Sequence, residues 1–282
     1  MFVSIASGKG GTGKTTLALL LAAAHKQITL IDCDVEEPNC HLFLKPTWEG
    51  EGKEVAVMVP RIDADRCNGC GACADLCLFN AIAVAGDKAL VFDELCHSCG
   101  GCLLACRQGA IAEDRKPVGV ITSGISTTIP GLRLVSGALN VGVPSGVPLI
   151  KAIKQKAMSL GGDVIFDCPP GTSCSMVNAV RDSDFCILVT EPTPFGRHDL
   201  ELAMNIAGLL RIPTGVVINK SDGAGDESVE ELCRDRRIPV LAKIPHSLSF
   251  ARQYAAGIIS DEFRAVAAGI WRQLRQERSA EA

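Results

Sequence analysis

Eight of the fourteen cysteines in this chain follow one spacing that occurs twice. Both runs have the pattern C-x2-C-x2-C-x3-C, with Cys67, Cys70, Cys73 and Cys77 in the first and Cys96, Cys99, Cys102 and Cys106 in the second. The runs are offset by 29 residues, and flanking pairs such as Gly71 and Gly100 keep the same offset. Thiolates at this spacing bind cubane iron–sulfur clusters, so the internal repeat predicts two [4Fe-4S] clusters.

The assignment of ligands to clusters follows the pattern of two-cluster ferredoxins, in which each run gives its fourth thiolate to the other cluster. By that pattern the first cluster takes Cys67, Cys70, Cys73 and Cys106, and the second takes Cys96, Cys99, Cys102 and Cys77. Zinc and disulfides are the alternatives for paired cysteines. The duplicated four-cysteine run is a poor match to zinc sites, and the lack of a secretory signal disfavours disulfides.

A phosphate-binding loop is predicted near the amino terminus, between an apolar strand and a helix. Gly8, Gly13, Lys14 and Thr15 match the P-loop pattern G-x4-G-K-[ST]. Glycines let backbone N–H groups turn toward phosphate oxygens, and the start of the helix adds partial positive charge. Lys14 should reach the β- and γ-phosphates, and Thr15 should hold Mg2+. The expected nucleotide contacts are Gly8, Lys9, Gly10, Gly11, Thr12, Gly13, Lys14, Thr15 and Thr16.

A second lysine, Lys9, directly follows the first glycine of this loop. The resulting sequence Gly-Lys-Gly-Gly-Thr-Gly-Lys-Thr-Thr resembles the deviant Walker A motif of the MinD/ParA/Mrp/nitrogenase-iron-protein superfamily of P-loop ATPases. In that superfamily two subunits face each other with nucleotide between them. The resemblance implies a homodimer in which Lys9 enters the partner's site and neutralises the charge that develops during phosphoryl transfer.

Two apolar strands end in aspartates that are similar to the switch segments of this superfamily. Asp32 and Asp34 follow the run 28–31, and Asp167 follows the run 164–166. The resemblance implies that Asp34 orients the attacking water and that Asp32 and Asp167 support Mg2+. Gly171, four residues after Asp167, is then expected to sense the γ-phosphate. Lys9, Lys14 and Asp34 are therefore the expected catalytic residues for ATP hydrolysis.

The sequence Asn219-Lys220-Ser221-Asp222 ends a later strand and bears on the choice of base. We expect Asn219 to contact the base. Asp222 would favour guanine, as the N-K-x-D motif does in GTPases, whereas an asparagine at this place goes with adenine in the MinD branch. ATP is the expected nucleotide, and GTP is the alternative.

Short apolar strands alternate with amphipathic helices along most of the chain. This pattern predicts an α/β fold with a mostly parallel sheet covered by helices on both faces. Strands are expected near 2–6, 28–32, 118–123, 132–136, 164–167, 185–190, 214–219 and 240–244. Helices are expected near 14–26, 147–160, 175–181, 198–210, 227–236, 247–256 and 262–275.

The cysteine repeat interrupts this alternation, and Pro60 and Pro117 bracket it. We therefore expect a discontinuous P-loop ATPase domain, 1–59 and 117–282, with a small α+β domain like bacterial ferredoxins inserted at 60–116. The whole arrangement resembles MinD-superfamily ATPases that contain an inserted ferredoxin domain. The resemblance implies a slow ATPase that couples its nucleotide state to electron or cluster transfer to a redox or apo-metalloprotein partner. A metal-cofactor assembly carrier and a ParA/MinD-like positioning ATPase are the alternatives.

Composition limits the other classes of function. The net charge of −4 disfavours nucleic-acid binding, and no apolar run of membrane-spanning length is present. The strand-like start predicts no targeting segment, and free thiols indicate a reducing cytoplasm. Outside the repeat, Cys33, Cys40, Cys168, Cys186 and Cys233 are expected to be core thiols. Cys174 lies seven residues after Asp167 and is either an unpaired thiol or a ligand of a bridging cluster. The second alternative follows from the nitrogenase iron protein, which has a cluster ligand at the same offset from the corresponding aspartate.

Overall fold

The computed structural model describes residues 1–25 and 27–281 of the chain. Its strands are β1 (Phe2–Ala6), β2 (Ile28–Asp32), β3 (Thr47–Trp48), β4 (Lys53–Ile62), β5 (Ile82–Ala85), β6 (Lys88–Val91), β7 (Ile111–Ile125), β8 (Arg133–Leu139), β9 (Asp163–Asp167), β10 (Phe185–Thr190), β11 (Thr214–Ser221) and β12 (Val240–Pro245). Its helices are α1 (Lys14–Ala23), α2 (Cys40–Leu44), α3 (Ala72–Leu76), α4 (Gly101–Ala105), α5 (Val147–Leu160), α6 (Cys174–Val180), α7 (Pro194–Leu209), α8 (Asp226–Asp235), α9 (Leu248–Ala255) and α10 (Arg264–Glu281).

One large sheet carries the fold, with the strand order β12-β11-β10-β1-β9-β2-β8-β7-β3. The strands from β12 to β8 pair in parallel, whereas β7 pairs antiparallel with β8, β3 and β4. Alternating residues of the central strands enter two buried cores, one on each face: Leu30 joins the first and Ile31 the second. The predicted mostly parallel sheet with flanking helices is therefore confirmed.

Helices cover both faces because each has one apolar side. Trp271 of α10 packs on α1 in the first core, and its indole Nε1 donates a hydrogen bond to the Leu21 carbonyl at 2.9 Å. Helices α5 to α8 cover the second core, where Ile150 and Ile153 are fully buried. No helix in the described ranges is both long enough and apolar enough to cross a membrane.

Most predicted elements lie where the apolar pattern placed them, but several boundaries differ. Helix α7 begins at Pro194, four residues before the predicted start, because the Thr193 hydroxyl caps it by accepting a bond from the Gly196 N–H at 3.0 Å. The strand predicted at 118–123 extends over Ile111–Ile125 because it also pairs with β4. Strands β3 and β4 and helix α2 were not predicted. Residue 26, placed in the first predicted helix, lies outside the described residues.

The cysteine repeat lies at the far end of an antiparallel ribbon formed by β4 and β7. The ribbon runs from the pair Lys53–Ile121 to the pair Ile62–Ile111, and it continues through both bracketing prolines, since Pro60 pairs with Glu113 and Pro117 with Ala56. Beyond it, β5 and β6 form a separate hairpin, and α3 packs against α4. Cys73, Ile82 and Ala89 form a small buried cluster there, apart from the two main cores. The division of the chain at 60–116 stays a prediction.

Two glycines should respond oppositely to substitution by alanine. A β-carbon at Gly119 of β7 would lie 2.4 Å from the Ala138 carbonyl oxygen, whereas one at the exposed Gly208 of α7 would meet nothing within 4 Å. We expect Gly119→Ala to lower the free energy of unfolding by about 2 kcal/mol or more. Gly208→Ala should raise it by about 0.5–1 kcal/mol, because alanine favours the helix. Urea unfolding measures both, and equal effects would contradict this packing.

Candidate functional site

Three adjacent parallel strands bring the predicted site residues to one edge of the sheet. Ile5 of β1 pairs with Asp167 of β9, and Asp32 of β2 pairs with the same residue. The loop of residues 7–13 follows β1 directly and leads into α1. The P-loop and both strand-terminal aspartates are therefore neighbours at the carboxyl ends of the strands, where open α/β sheets bind ligands.

The phosphate-binding loop is held close to the rest of the domain. Gly13 has a φ of 99°, and a β-carbon there would lie 2.2 Å from the Asn219 amide nitrogen. That amide donates a hydrogen bond to the Thr12 carbonyl at 2.7 Å. A β-carbon at Gly8 would lie 2.1 Å from the backbone oxygen of Asp199. Close approach thus requires both glycines, and the positive φ at position 13 requires glycine there as well.

A cavity of about 440 Å³ opens above this loop. Eight predicted residues line it: Gly10, Gly11, Gly13, Lys14, Thr15, Thr16, Asp34 and Asn219. The opposite wall comes from the end of β12 and from α9, and it was not predicted: Pro245, His246, Ser247, Phe250, Ala251 and Tyr254. The volume lies in the range of small-molecule sites. The apolar pattern predicts a helix near 247–256, but no local motif shows that its first turn faces the P-loop.

Lys14 and Asp34 face each other at the floor of the cavity. Burial lowers the pKa of the Lys14 ammonium, and the nearby carboxylates of Asp167 and Asp34 partly oppose that effect. Burial raises the pKa of Asp34 to about 6, while Lys14 acts to lower it. A cation and an anion thus flank the space where the P-loop would hold phosphate.

Asp32 and Asp167 form a buried pair beneath this floor. Asp32 Oδ2 accepts hydrogen bonds from the N–H groups of Asn39 and Cys40, both at 3.0 Å. The neighbouring Thr15 hydroxyl acts to lower the pKa of the Asp167 carboxyl, and this arrangement matches a P-loop Mg2+ site. Burial is the main cause that raises the pKa of each aspartate, and mutual repulsion also raises that of Asp32. An additional cation would stabilise both carboxylates in the charged form.

Cys40 occupies an unexpected position in this buried pair. Its thiol donates to Asp167 Oδ2 at 3.5 Å, and the ligand atoms of Asp32, Cys40 and Asp167 lie within 4.8 Å of one another. Cys40 is buried, as predicted for a core thiol, but its contacts are with carboxylates as well as with the core. Cys33, Cys168, Cys186 and Cys233 are also buried, and Cys174 is exposed at the start of α6.

Lys9 does not line this cavity. Its ammonium lies 3.6 Å from Glu191 Oε2, and Lys220 lies 2.8 Å from Oε1 of the same carboxylate. Lys220 also donates to the Gly11 carbonyl at 3.1 Å. Glu191 therefore pairs with two lysines beside the P-loop, of which Lys220 lines the cavity.

Two further predicted residues lie beside the cavity and do not line it. Gly171 has a φ of 88°, and its N–H donates to the Ser7 carbonyl at 3.1 Å, which ties the segment after Asp167 to the P-loop. Asp222 Oδ1 accepts hydrogen bonds from the N–H groups of Ala224 and Gly225, both at 3.1 Å. Asp222 thus stabilises the turn that leads into α8.

The cysteine repeat brings the first predicted ligand set together. Cys67, Cys70, Cys73 and Cys106 line one small cavity. Burial raises the pKa of the Cys73 thiol, and the neighbouring Cys106 and Cys67 raise it further. In the second run, burial raises the pKa of Cys102, and Cys96 and Cys99 add to that effect.

Backbone N–H groups point at several of these sulfurs. Ala81 donates to Cys77 Sγ and Ala110 donates to Cys106 Sγ, each at 3.3 Å, so the contact repeats at the sequence offset. The Ser98 N–H donates to Cys96 Sγ at 3.4 Å. N–H donors stabilise the negative charge of a thiolate. The thiols together with these N–H groups therefore fit the requirements of iron–sulfur clusters. The pairing of ligands stays a prediction.

Comparison with known proteins identifies the larger part of the chain. Residues 3–259 match the family model of the CobQ/CobB/MinD/ParA nucleotide binding domain. The chain belongs to this family. This CobQ/CobB/MinD/ParA protein is 31% identical over 224 residues to the uncharacterized protein MJ0579 of Methanocaldococcus jannaschii, covering 78% of this chain and 80% of that protein.

Two further matches are more distant. The iron-sulfur cluster carrier protein of Pyrococcus abyssi is 25% identical over an alignment of 282 positions, which covers 91% of this chain and 77% of that protein. The structure of the septum site-determining protein MinD of Pyrococcus horikoshii, complexed with Mg-ADP, superposes with a TM-score of 0.56 at 19% identity, covering 98% of this chain and 95% of that one. The resemblance to MinD-type P-loop proteins is therefore confirmed at the level of family and fold.

Substitutions of Asn219 and Asp222 should lower the affinity for nucleotide to different extents. Asn219→Ala removes the hydrogen bond to the Thr12 carbonyl and one wall of the cavity. We expect the affinity for ATP to fall about five- to tenfold, as for the loss of one hydrogen bond. Asp222→Ala should change the affinity less than about twofold, because the hydrogen bonds of Asp222 within the described residues go to its own turn. Titration with a fluorescent ATP analogue measures both, and the reverse order would contradict these placements.

Proposed function

We propose that this chain is an ATPase that couples its nucleotide state to electron or iron–sulfur cluster transfer to a partner protein. One observation carries the proposal: a P-loop cavity of the MinD/ParA kind and a repeat of eight thiols occur in one chain. The strand β7 connects them, since it begins five residues after Cys106 and ends beside β8 in the main sheet.

The predicted residues at this edge of the sheet would have separate roles in ATP hydrolysis. Lys14 and the backbone N–H groups of the P-loop would bind the phosphates. Mg2+, held by Thr15 with Asp32 and Asp167 nearby, would neutralise phosphate charge when bound. Asp34 would orient the attacking water from the opposite side. The MinD likeness and Asn219 favour ATP over GTP, and the position of Asp222 outside the cavity agrees with that choice.

The position of Lys9 supports an active homodimer. Its side chain is about one-third exposed and does not line the nucleotide cavity. A lysine placed in this way is available to a second protomer that docks across the P-loop. Lys9 would then supply positive charge to the partner's phosphates, as an arginine finger does.

Substitution of the two P-loop lysines should separate binding from hydrolysis. Lys14→Ala should abolish nucleotide binding, because the buried ammonium faces the phosphate space. Lys9→Ala should retain binding and lower kcat by about 1,000-fold, the lower range for loss of a cationic finger. Phosphate release and equilibrium binding measure the two effects. If Lys9→Ala hydrolysed ATP at the normal rate, the assignment to the partner's site would be wrong.

The cysteine repeat would supply one-electron chemistry through two [4Fe-4S] clusters. The chain's own contribution is the set of thiolates and the N–H donors directed at them.

Cys106→Ser should lower the iron content below the expected value of about eight atoms per chain. Cys186→Ser is the matched control, since Cys186 is buried in β10 and lies outside the repeat. Iron and sulfide analysis of anaerobically purified protein checks both, and equal iron contents would contradict the assignment.

The coupling itself is tested by the rate of acceptor reduction. The reduced chain is mixed with an acceptor protein in the presence of Mg-ATP, Mg-ADP or a nonhydrolysable ATP analogue. We expect the rate to depend on the nucleotide in the wild type and to be independent of it in Lys14→Ala. Identical rates with all three nucleotides in the wild type would refute coupling.

A cluster or metal-cofactor carrier is the second candidate function. The similarity to the iron-sulfur cluster carrier protein of Pyrococcus abyssi favours it. A carrier would transfer labile iron to an apo-protein, whereas an electron donor would keep its iron through many turnovers. Iron analysis of both proteins after incubation with an apo-acceptor distinguishes them.

A further inference from the structure

A buried triad of side chains beneath the P-loop has the donor atoms of a second type of cation site. Asp32, Cys40 and Asp167 are each at most 1% exposed. Their ligand atoms, two carboxylate oxygens and one sulfur, lie within 4.8 Å of one another. Three ligands at this separation can contact a single ion, since metal–oxygen and metal–sulfur bonds are about 2.0–2.3 Å long.

Buried oxygens without donors provide an independent sign of a cation. Asp167 Oδ1 is buried and has no hydrogen-bond partner among the described residues. The same holds for Asn39 Oδ1, on the residue next to Cys40. A buried acceptor without a donor is costly, and two of them beside a carboxylate pair favour a positive ion between them.

The sulfur atom decides which ion is suitable. Mg2+ requires oxygen ligands, so a site for Mg2+ alone gains nothing from a thiol. Cys40 Sγ lies 3.5 Å from Asp167 Oδ2, so an ion bound to that carboxylate would be within reach of the sulfur. Thiolate combined with carboxylate favours borderline ions such as Zn2+ and Fe2+.

We propose that Asp32, Cys40 and Asp167 form a mixed carboxylate–thiolate site for a borderline divalent cation. On binding, the Cys40 thiol releases its proton to water, and the metal–sulfur bond replaces the hydrogen bond to Asp167. The two positive charges of the ion and that of Lys14 then balance two carboxylates and one thiolate. The site goes beyond the proposed function, because ATP hydrolysis with Mg2+ and cluster binding require no thiol at this position.

The site is also placed to influence the nucleotide cavity. Asp32 accepts hydrogen bonds from the N–H groups of Asp34, Asn39 and Cys40, so it holds both ends of the segment 34–40. Asp34 and Asn39 of this segment line the cavity. Occupancy by a cation would therefore fix the loop that contains the residue expected to orient water.

Zinc binding to the cluster-loaded chain tests the proposal, with Zn2+ as the probe. The chain is equilibrated with Zn2+ in excess Mg2+, without nucleotide and without thiol reductants, and then desalted. We expect the wild type to retain one zinc per chain, with sulfur in its first shell at about 2.3 Å by X-ray absorption at the zinc edge. Cys40→Ser should weaken zinc affinity by about 100-fold or more.

The matched control is Cys186→Ser, because Cys186 is equally buried but lies in β10, two strands away from β9. It should retain zinc as the wild type does. Nucleotide binding and cluster iron, measured in every sample, show whether Cys40→Ser has kept its fold. The zinc-edge spectrum of the wild type tests the proposal even if that variant does not fold.

Three results would overturn the proposal: no zinc retained by the wild type, zinc retained by Cys40→Ser, or a zinc shell without sulfur. None of them bears on ATP-dependent transfer. Conversely, a cluster-loaded chain that reduces its acceptor at the same rate with every nucleotide would contradict the proposed function and leave the zinc result unchanged.

Discussion

The pairing of Asp32 with Asp167 on adjacent parallel strands is the constraint on which the rest of the site depends. Parallel strands in register end at the same edge, so two carboxylates are placed side by side where the chain leaves the sheet. Both are buried, and two like charges in a low-dielectric interior need compensation. Lys14, the Thr15 hydroxyl and the N–H groups of the segment 34–40 provide part of it. A bound cation, as we propose, would supply the rest of the compensation at this edge.

Hydrogen bonds connect this edge of the sheet to the strand that leads to the cysteine repeat. The Leu44 carbonyl at the end of α2 accepts hydrogen bonds from the Thr127 N–H at 3.1 Å and from the Ser126 hydroxyl at 3.0 Å. These residues directly follow β7, whose other end begins near Cys106. Helix α2 starts at Cys40, beside the carboxylate pair. A displacement of the segment after Asp34 would therefore reach the strand that carries the repeat.

The sequence predicted what depends on local pattern and missed what depends on contacts between distant residues. The P-loop, the aspartates after β2 and β9 and most helices were predictable, because glycine spacing and apolar periodicity are local signals. Cys40 was interpreted as a core thiol, since its contact with Asp167 joins residues 127 positions apart. The wall formed by α9 and the ion pair of Lys9 with Glu191 were missed for the same reason. Strand β4 contains a proline and exposed charges, so its pattern did not predict a strand.

The most direct test of the account is the electron paramagnetic resonance spectrum of the reduced chain with bound nucleotide. If the nucleotide edge and the cysteine repeat are coupled through α2 and β7, a nonhydrolysable ATP analogue should change the signals of the reduced clusters relative to ADP. The same comparison in Lys14→Ala should show no change. Identical spectra of the wild type with the two nucleotides, at saturation, would contradict coupling within this chain.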